Sequence, residues 1–188
     1  MALSLTSGKN KDCKDSVGGI SEVYIFSYTK HPKSQIIVDD LTLTSFPETN
    51  IYKFEFNNEP NFTNDSSEDE GGKFYNESLN LEFVGIYVWD GFERFLKKDL
   101  RIIIKDRNNK YRLLGAYNGL IVDRIQRTTG DAKNTFRGYR ITFEGKELNP
   151  SLFIDDLEDT GFNIVENIFL LSEDGKYILT ENNELIIA

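Results

Sequence analysis

The chain has one cysteine and one histidine, Cys13 and His31. They are the only residues that could form a thiolate–imidazole pair. Such a pair needs both groups fixed in an electropositive pocket. Cys13 stands in the polar tract "CKDSVGG", and His31 precedes Pro32 in "TKHPKSQ", an expected exposed turn. The cysteine therefore reads as an incidental thiol. "DSVGGIS" lacks the Lys-Ser/Thr ending of a phosphate loop, so Gly18-Gly19 reads as a hinge before a strand. No Gly-x-Ser-x-Gly, His-Glu-x-x-His or Cys-x-x-Cys pattern occurs. No catalytic residue is assigned, and the chain is expected not to be an enzyme.

Acidic oxygens are the remaining chemistry. They cluster in "DSSEDEGG" (Asp65, Glu68, Asp69, Glu70) and in "DDLEDTG" (Asp155, Asp156, Glu158, Asp159). Neither cluster has the alternating ligands and central glycine of a calcium loop. Both read as solvated loop tips, and no metal or other cofactor is expected. Three N-x-S/T matches, at Asn61, Asn64 and Asn76, read as coincidences of an Asn-rich region.

The elements behind these groups are mostly strands. The 188 residues carry a formal charge of −9, with 39% apolar and 13% aromatic residues. That is enough for a core, but the wrong sign for a general nucleic-acid binder or for docking on anionic membranes. No apolar run approaches the length of a spanning helix, and one cysteine allows no intrachain disulfide. Cytoplasmic folding is the simplest expectation. "ISEVYIFSY" (20–28), "SQIIV" (34–38) and "LTLTSF" (41–46) read as strands, as do "LRIIIKD", "KYRLLGAY", "GLIVDRIQR" and "RGYRITFEG". "DRNNK" supplies a turn. One helix is expected over 87–99, with Val88, Phe92, Phe95 and Leu96 at helical spacing.

Residues 51–84 read as a long two-faced hairpin with "DSSEDEGG" as its turn. Tyr52, Phe54 and Phe56 alternate with Lys53, Glu55 and Asn57. Tyr75, Leu79, Leu81 and Phe83 share a face on which Glu77 is the one charged intruder. Asn76, Ser78, Asn80 and Glu82 lie opposite. The apolar face represents roughly 10–20 kcal/mol of gross burial and must cover something: the other half of a sandwich, or neighbouring subunits. After "DDLEDTG", "LLSEDGKYI" is echoed by "ILTENNELI", which suits a small β-meander over 155–188.

The phrases "CKDSVGGISEVYIFSY", "FPETNIYKFEF", "NFTNDSSEDEGGKFYNESLNLEF", "YRLLGAYNGL" and "YRITFEGKE" together resemble tail virion proteins of tailed bacteriophages. The likeness is nearest to small structural proteins of phages infecting gut Bacteroides relatives, the crAss-like group included. It covers most of residues 13–154. The resemblance implies a mainly β fold: a tail-tube-like β-sandwich over 20–154 with one flanking helix and a long hairpin. A flexible arm (1–19) would precede it and the C-terminal meander would follow. It also implies a homo-oligomeric ring, a hexamer or dodecamer, in which hairpins of successive subunits close an inner barrel.

Other tail or connector proteins would be its partners. DNA would pass in transit without specific binding, and there would be no membrane anchor. The protein would reside in the virion tail after folding in the host cytoplasm. Lys53, Glu55, Asn57, Asn76, Ser78, Asn80 and Glu82 would line the channel. Residues 51–84 hold eight acids against Lys53 and Lys73, so the lining is expected to be negative and to repel phosphate. The alternative is a carbohydrate-binding or adhesin-like sandwich at a tail tip. A hydrolase stands third, since no carboxylate pair is placed by the sequence.

Overall fold

The computed structural model describes residues 18–54, 56–69, 72–84, 96–129, 136–165, 169–171, 177–181 and 184–186. For residues 57–59, 84 and the last three strands it describes the backbone alone. Cys13, Glu55, Glu70 and the expected helix up to Phe95 lie outside the described residues. Leu96–Asp99 form a turn that leads into the next strand.

The chain is mainly β. An eight-stranded sheet has the order β12-β4-β1-β7-β8-β11-β3-β2. Its strands are β1 (Ile20–Ser27), β2 (Ile37–Asp39), β3 (Thr42–Ser45), β4 (Thr49–Phe54), β7 (Leu100–Asp106), β8 (Tyr111–Leu114), β11 (Leu152–Ile154) and β12 (Phe162–Val165). A four-stranded antiparallel sheet has the order β5-β6-β10-β9. It consists of β5 (Asn57–Asp69), β6 (Gly72–Val84), β9 (Ile121–Thr128) and β10 (Gly138–Glu147).

Alternation explains why these strands pack as they do. Val23 and Ile25 of β1 and Leu100, Ile102 and Ile104 of β7 face Leu79, Leu81, Ile141 and Phe143 of the four-stranded sheet, forming the core between the sheets. Tyr24, Phe26 and Ile103 turn the other way. They share a second core with Leu43, Ile51, Leu113, Leu152, Ile154, Leu157 and Phe162. This second core draws on β12 at one end of the sheet and β3 near the other, so the eight-stranded sheet curls around it. Phe46, just after β3, stacks on Phe162 with centroids 4.9 Å apart. Both faces of β1 and β7 are thus buried, which is why both strands are almost continuously apolar.

The hairpin expected over 51–84 is corrected in two places. Residues 51–54 belong to the other sheet, where β4 pairs with β1 and β12. "DSSED" is strand rather than turn: Asp65 pairs with Asn76 and Asp69 with Gly72. The hairpin is therefore β5–β6, and residues 70–71 lie outside the described residues. Asn, Ser and Asp have low strand propensity, but an edge strand laid along a well-formed neighbour tolerates them.

The boundary at 155 also moves. "DDLEDTG", expected as a loop tip, holds a short helix, α1 (Leu157–Thr160), with its four acids exposed. Asp156 caps it by accepting from the N–H groups of Glu158 and Asp159. Leu157 is buried in the second core, and β12 then joins the main sheet beside β4. The unit begun at β1 thus extends through Val165, and cutting after Asn149 or Pro150 would remove two of its strands. Asp156→Ala should cost about 1 kcal/mol through loss of the cap, read as a lower denaturation midpoint with an unchanged slope.

β13 (Phe169–Leu171), β14 (Tyr177–Glu181) and β15 (Glu184–Ile186) form a separate three-stranded antiparallel sheet. Phe169 pairs with Leu179, and Leu179 with Ile186. This is the meander expected from the repeated phrase.

Candidate functional site

The four-stranded sheet has one face on the core and one in solvent. Register fixes which residues share the solvated face. Glu82 pairs with Arg140, Asn80 with Thr142, Ser78 with Glu144 and Asn76 with Lys146. Across the hairpin Asn61, Thr63 and Asp65 lie opposite Asn80, Ser78 and Asn76. On the other side, Gln126 and Arg124 lie opposite Arg140 and Thr142.

Side chains bond along this face. Thr142 Oγ1 donates to Asn80 Oδ1 at 2.7 Å, and Asn76 Nδ2 to Ser67 Oγ at 3.0 Å. Arg140 Nε donates to Glu82 Oε1, and the Lys146 ammonium sits 4.8 Å from the Phe74 ring centroid.

Among the expected channel residues, Asn76, Ser78, Asn80 and Glu82 therefore share one solvated face. Asn57 stands opposite Glu82 in register. Lys53 does not belong with them: on β4, its Nζ lies 3.2 Å from Glu22 Oε1. The negative charge expected of this face is reduced, not reversed. By register, the face carries Asp65, Asp69, Glu82 and Glu144 against Arg124, Arg140 and Lys146. The cations come from β9 and β10, strands that the hairpin alone does not reveal.

The expected packing face is largely covered within the chain. Leu79 and Leu81 are fully buried, and Phe54, Phe56 and Phe83 pack against the same core. Tyr75 is half-buried at the outer end. Tyr52 departs from the expectation at 38% exposed, although register places it opposite Ile25 on the same side of β4 as Phe54.

Both outer strands of this sheet, β5 and β9, lack a second ladder partner among the described residues. β9 exposes Ile121 and Ile125, at 57% and 40%. They border an open groove of about 420 Å³ shared with Leu96–Asp99. Pro60, within a register break of β5, leaves Asn61–Asp69 as its regular stretch.

A second group of polar residues is buried where the sheets join. Glu77, the charged intruder of the apolar face, is 1% exposed, as is Arg101; Glu147 is 3% exposed. Each holds the segment "GAYNG" (115–119), which leads from β8 to β9. Glu77 Oε2 accepts from Gly115 N at 2.7 Å, and its Oε1 from Asn64 Nδ2 at 3.2 Å. Glu147 Oε1 accepts from the N–H groups of Tyr117 and Asn118, at 2.9 and 2.8 Å. Arg101 Nε donates to Ala116 O at 3.2 Å, and its Nη1 to Thr29 O at 2.9 Å. Its guanidinium lies over the Tyr28 ring, 4.3 Å from the centroid.

Burial dominates the ionisation of all three groups. It pushes Glu77 up to about 7, and nearby Glu147 adds to the rise. Burial likewise raises Glu147, against the backbone N–H groups and Arg101. It lowers Arg101 to about 10, which leaves it charged at neutral pH. His31, expected as an exposed turn, packs its ring against Phe46 at 5.4 Å, and burial followed by the Arg101 charge lowers its basicity.

The signal for this cluster was isolated charge in apolar strands: Glu77 in "YNESLNL" and Arg101 in "LRIII". Its target, the backbone of residues 115–119, carries no side-chain signature. Comparison with protein-family models, curated proteins and solved structures finds no match. The likeness to phage tail proteins thus rests on the quoted phrases.

Proposed function

We propose that the chain is a structural ring protein of a phage tail, built into the virion around a DNA channel, with no catalytic step. The four-stranded sheet carries this reading. One face is buried, the other is solvated and cross-bonded, and its two outer strands are unpaired among the described residues. Unpaired edges of this length invite strand addition.

With an even number of alternating strands, β5 and β9 run in opposite directions. A copy generated by rotation can therefore set its β5 antiparallel beside β9 of its neighbour. Where the rotation closes, repeating that head-to-tail contact gives a ring and covers both edges of this sheet. The regular stretch Asn61–Asp69 matches the span of β9, Ile121–Thr128. Charge favours the same pairing. Asp65, Glu68 and Asp69 make the β5 stretch acidic, whereas Arg124 and Arg127 outnumber Asp123 on β9. The assembly element is thus the whole sheet rather than the hairpin alone.

The solvated face would line the channel. Its charges nearly balance, and Arg140 is engaged by Glu82. Such a surface gives phosphate little net attraction, which suits DNA that must pass without being held.

Ile125→Lys tests the edge. Ile125 is already 40% exposed, so the subunit should stay folded, losing no more than about 1.5 kcal/mol. A lysine on an edge strand blocks further pairing, so incorporation into particles, read by immunoblot of purified virions, should be lost. Normal incorporation would count against the β9 edge. An excess of variant that binds a glycan surface instead would favour the adhesin-like reading.

A further inference from the structure

We propose that Glu77 and Glu147 form a proton-operated latch on residues 115–119, closed in acid and released as the carboxylates ionise. The inference concerns the single subunit and stands apart from the proposed ring.

The geometry is that of a clasp. Residues 115–119 carry the chain out of the eight-stranded sheet and into the four-stranded one. Gly115 and Gly119 both have positive φ, at 67° and 80°, a conformation glycine adopts freely. Glu77 of β6 grips the entry of the segment through Gly115 N, and Glu147 at the end of β10 grips its middle through Tyr117 and Asn118. Asn118 Nδ2 also donates to Lys146 O at 2.7 Å, and Tyr28 Oη to Tyr117 O at 2.6 Å. A methyl group at Gly145 would meet Gly119 O at 2.9 Å, so the segment lies directly on β10.

The surrounding elements offer too little compensation for two carboxylates. β5 faces Glu77 with the neutral Asn64. Among the described residues, β7 supplies the cation, Arg101, whose attraction falls on Glu147. The end of β1 adds Tyr28, and the segment itself adds Tyr117, both phenols. Glu147 Oε2 and Arg101 Nη2 are buried without a hydrogen-bond partner among the described residues.

Ionising both acids therefore places two like charges in a dry junction, where each disfavours the other's ionisation. Opening the segment admits water to both. Local opening of this kind need not involve the rest of the fold. Protonation removes the charge and leaves the segment closed.

Amide hydrogen exchange of the wild-type chain, corrected for intrinsic rates at each pH, tests the latch. Protection at Gly115, Tyr117 and Asn118 should fall by on the order of tenfold or more between pH 5 and pH 8 and then level off. Protection at Ile103 and Phe143, which exchange only when the whole fold opens, should fall no further than the global stability does and stay well above that of the segment at every pH. Glu77→Gln should remove most of the fall. The Glu77 carboxyl carbon, followed by NMR in the wild type, should titrate in step with the exchange, which keeps the test independent of how the variant folds. Protection that does not change with pH would overturn the latch. So would protection of the segment equal to that of β7 and β10 at every pH, which would mean that it opens only with the whole fold.

Discussion

Leu81→Asp is expected to unfold the subunit rather than only its assemblies. Leu81 is 1% exposed and sits between the two sheets with Ile141 as its cross-strand partner. The change removes a buried leucine and places a carboxylate among Ile102, Ile104, Leu114 and Phe143, all members of the same core. The lost burial and the cost of an unpaired charge together exceed about 4 kcal/mol. That is a large part of the roughly 5–15 kcal/mol that stabilises a typical domain. Circular dichroism should show loss of the cooperative unfolding transition. A folded variant defective only in association would mean that the face is covered by a neighbour and not by the eight-stranded sheet.

Glu77→Gln should stabilise the chain at neutral and alkaline pH. The carboxyl rises from 4.5 in the unfolded chain to about 7 in the fold, chiefly through burial. Between those values the folded chain holds more protons than the unfolded one. Stability therefore falls as pH rises from 4.5 to 7, and this group adds no further change above that. The accumulated penalty is about 3 kcal/mol, at roughly 1.4 kcal/mol per pKa unit. Glutamine avoids it while its amide oxygen still accepts from Gly115 N. Urea unfolding at pH 8 should show most of that gain, and unfolding near pH 4 should show little. A variant equally destabilised at both values would show that the Glu77 hydrogen bonds, not its charge, control the junction.

What the sequence disclosed follows from where each signal is stored. β1, β7 and β10 were legible because their apolar residues repeat with the strand period or run continuously. Glu77 was legible as an anomaly, since a lone charge on an apolar face demands a partner. The partner was not legible. Gly115 N is a backbone group 38 residues away, and only the pairing of β6 with β10 brings the segment to it. β5 was misread because Asn, Ser and Asp carry the local signature of a turn, and edge position overrides it. The pairing of β4 was missed because alternation shows that "IYKFEF" is a strand but not which strand lies beside it. The acidic phrase before Leu157 held a readable cap, Asp156 ahead of a helical turn closed by Gly161. Its charge drew the reading toward a solvated loop tip. The near-balance of the polar face was likewise out of reach until β9 and β10 were placed beside the hairpin.

The central claim is that the four-stranded sheet joins copies edge to edge around a channel. A cryo-electron microscopy map of the intact particle, with side chains traced for residues 57–84 and 121–147, tests it most directly. The account predicts β5 of one copy hydrogen-bonded to β9 of the next, with Asn80, Glu82, Arg140 and Thr142 facing the axial channel. Both edges lying against outer solvent, away from any subunit junction, would contradict it.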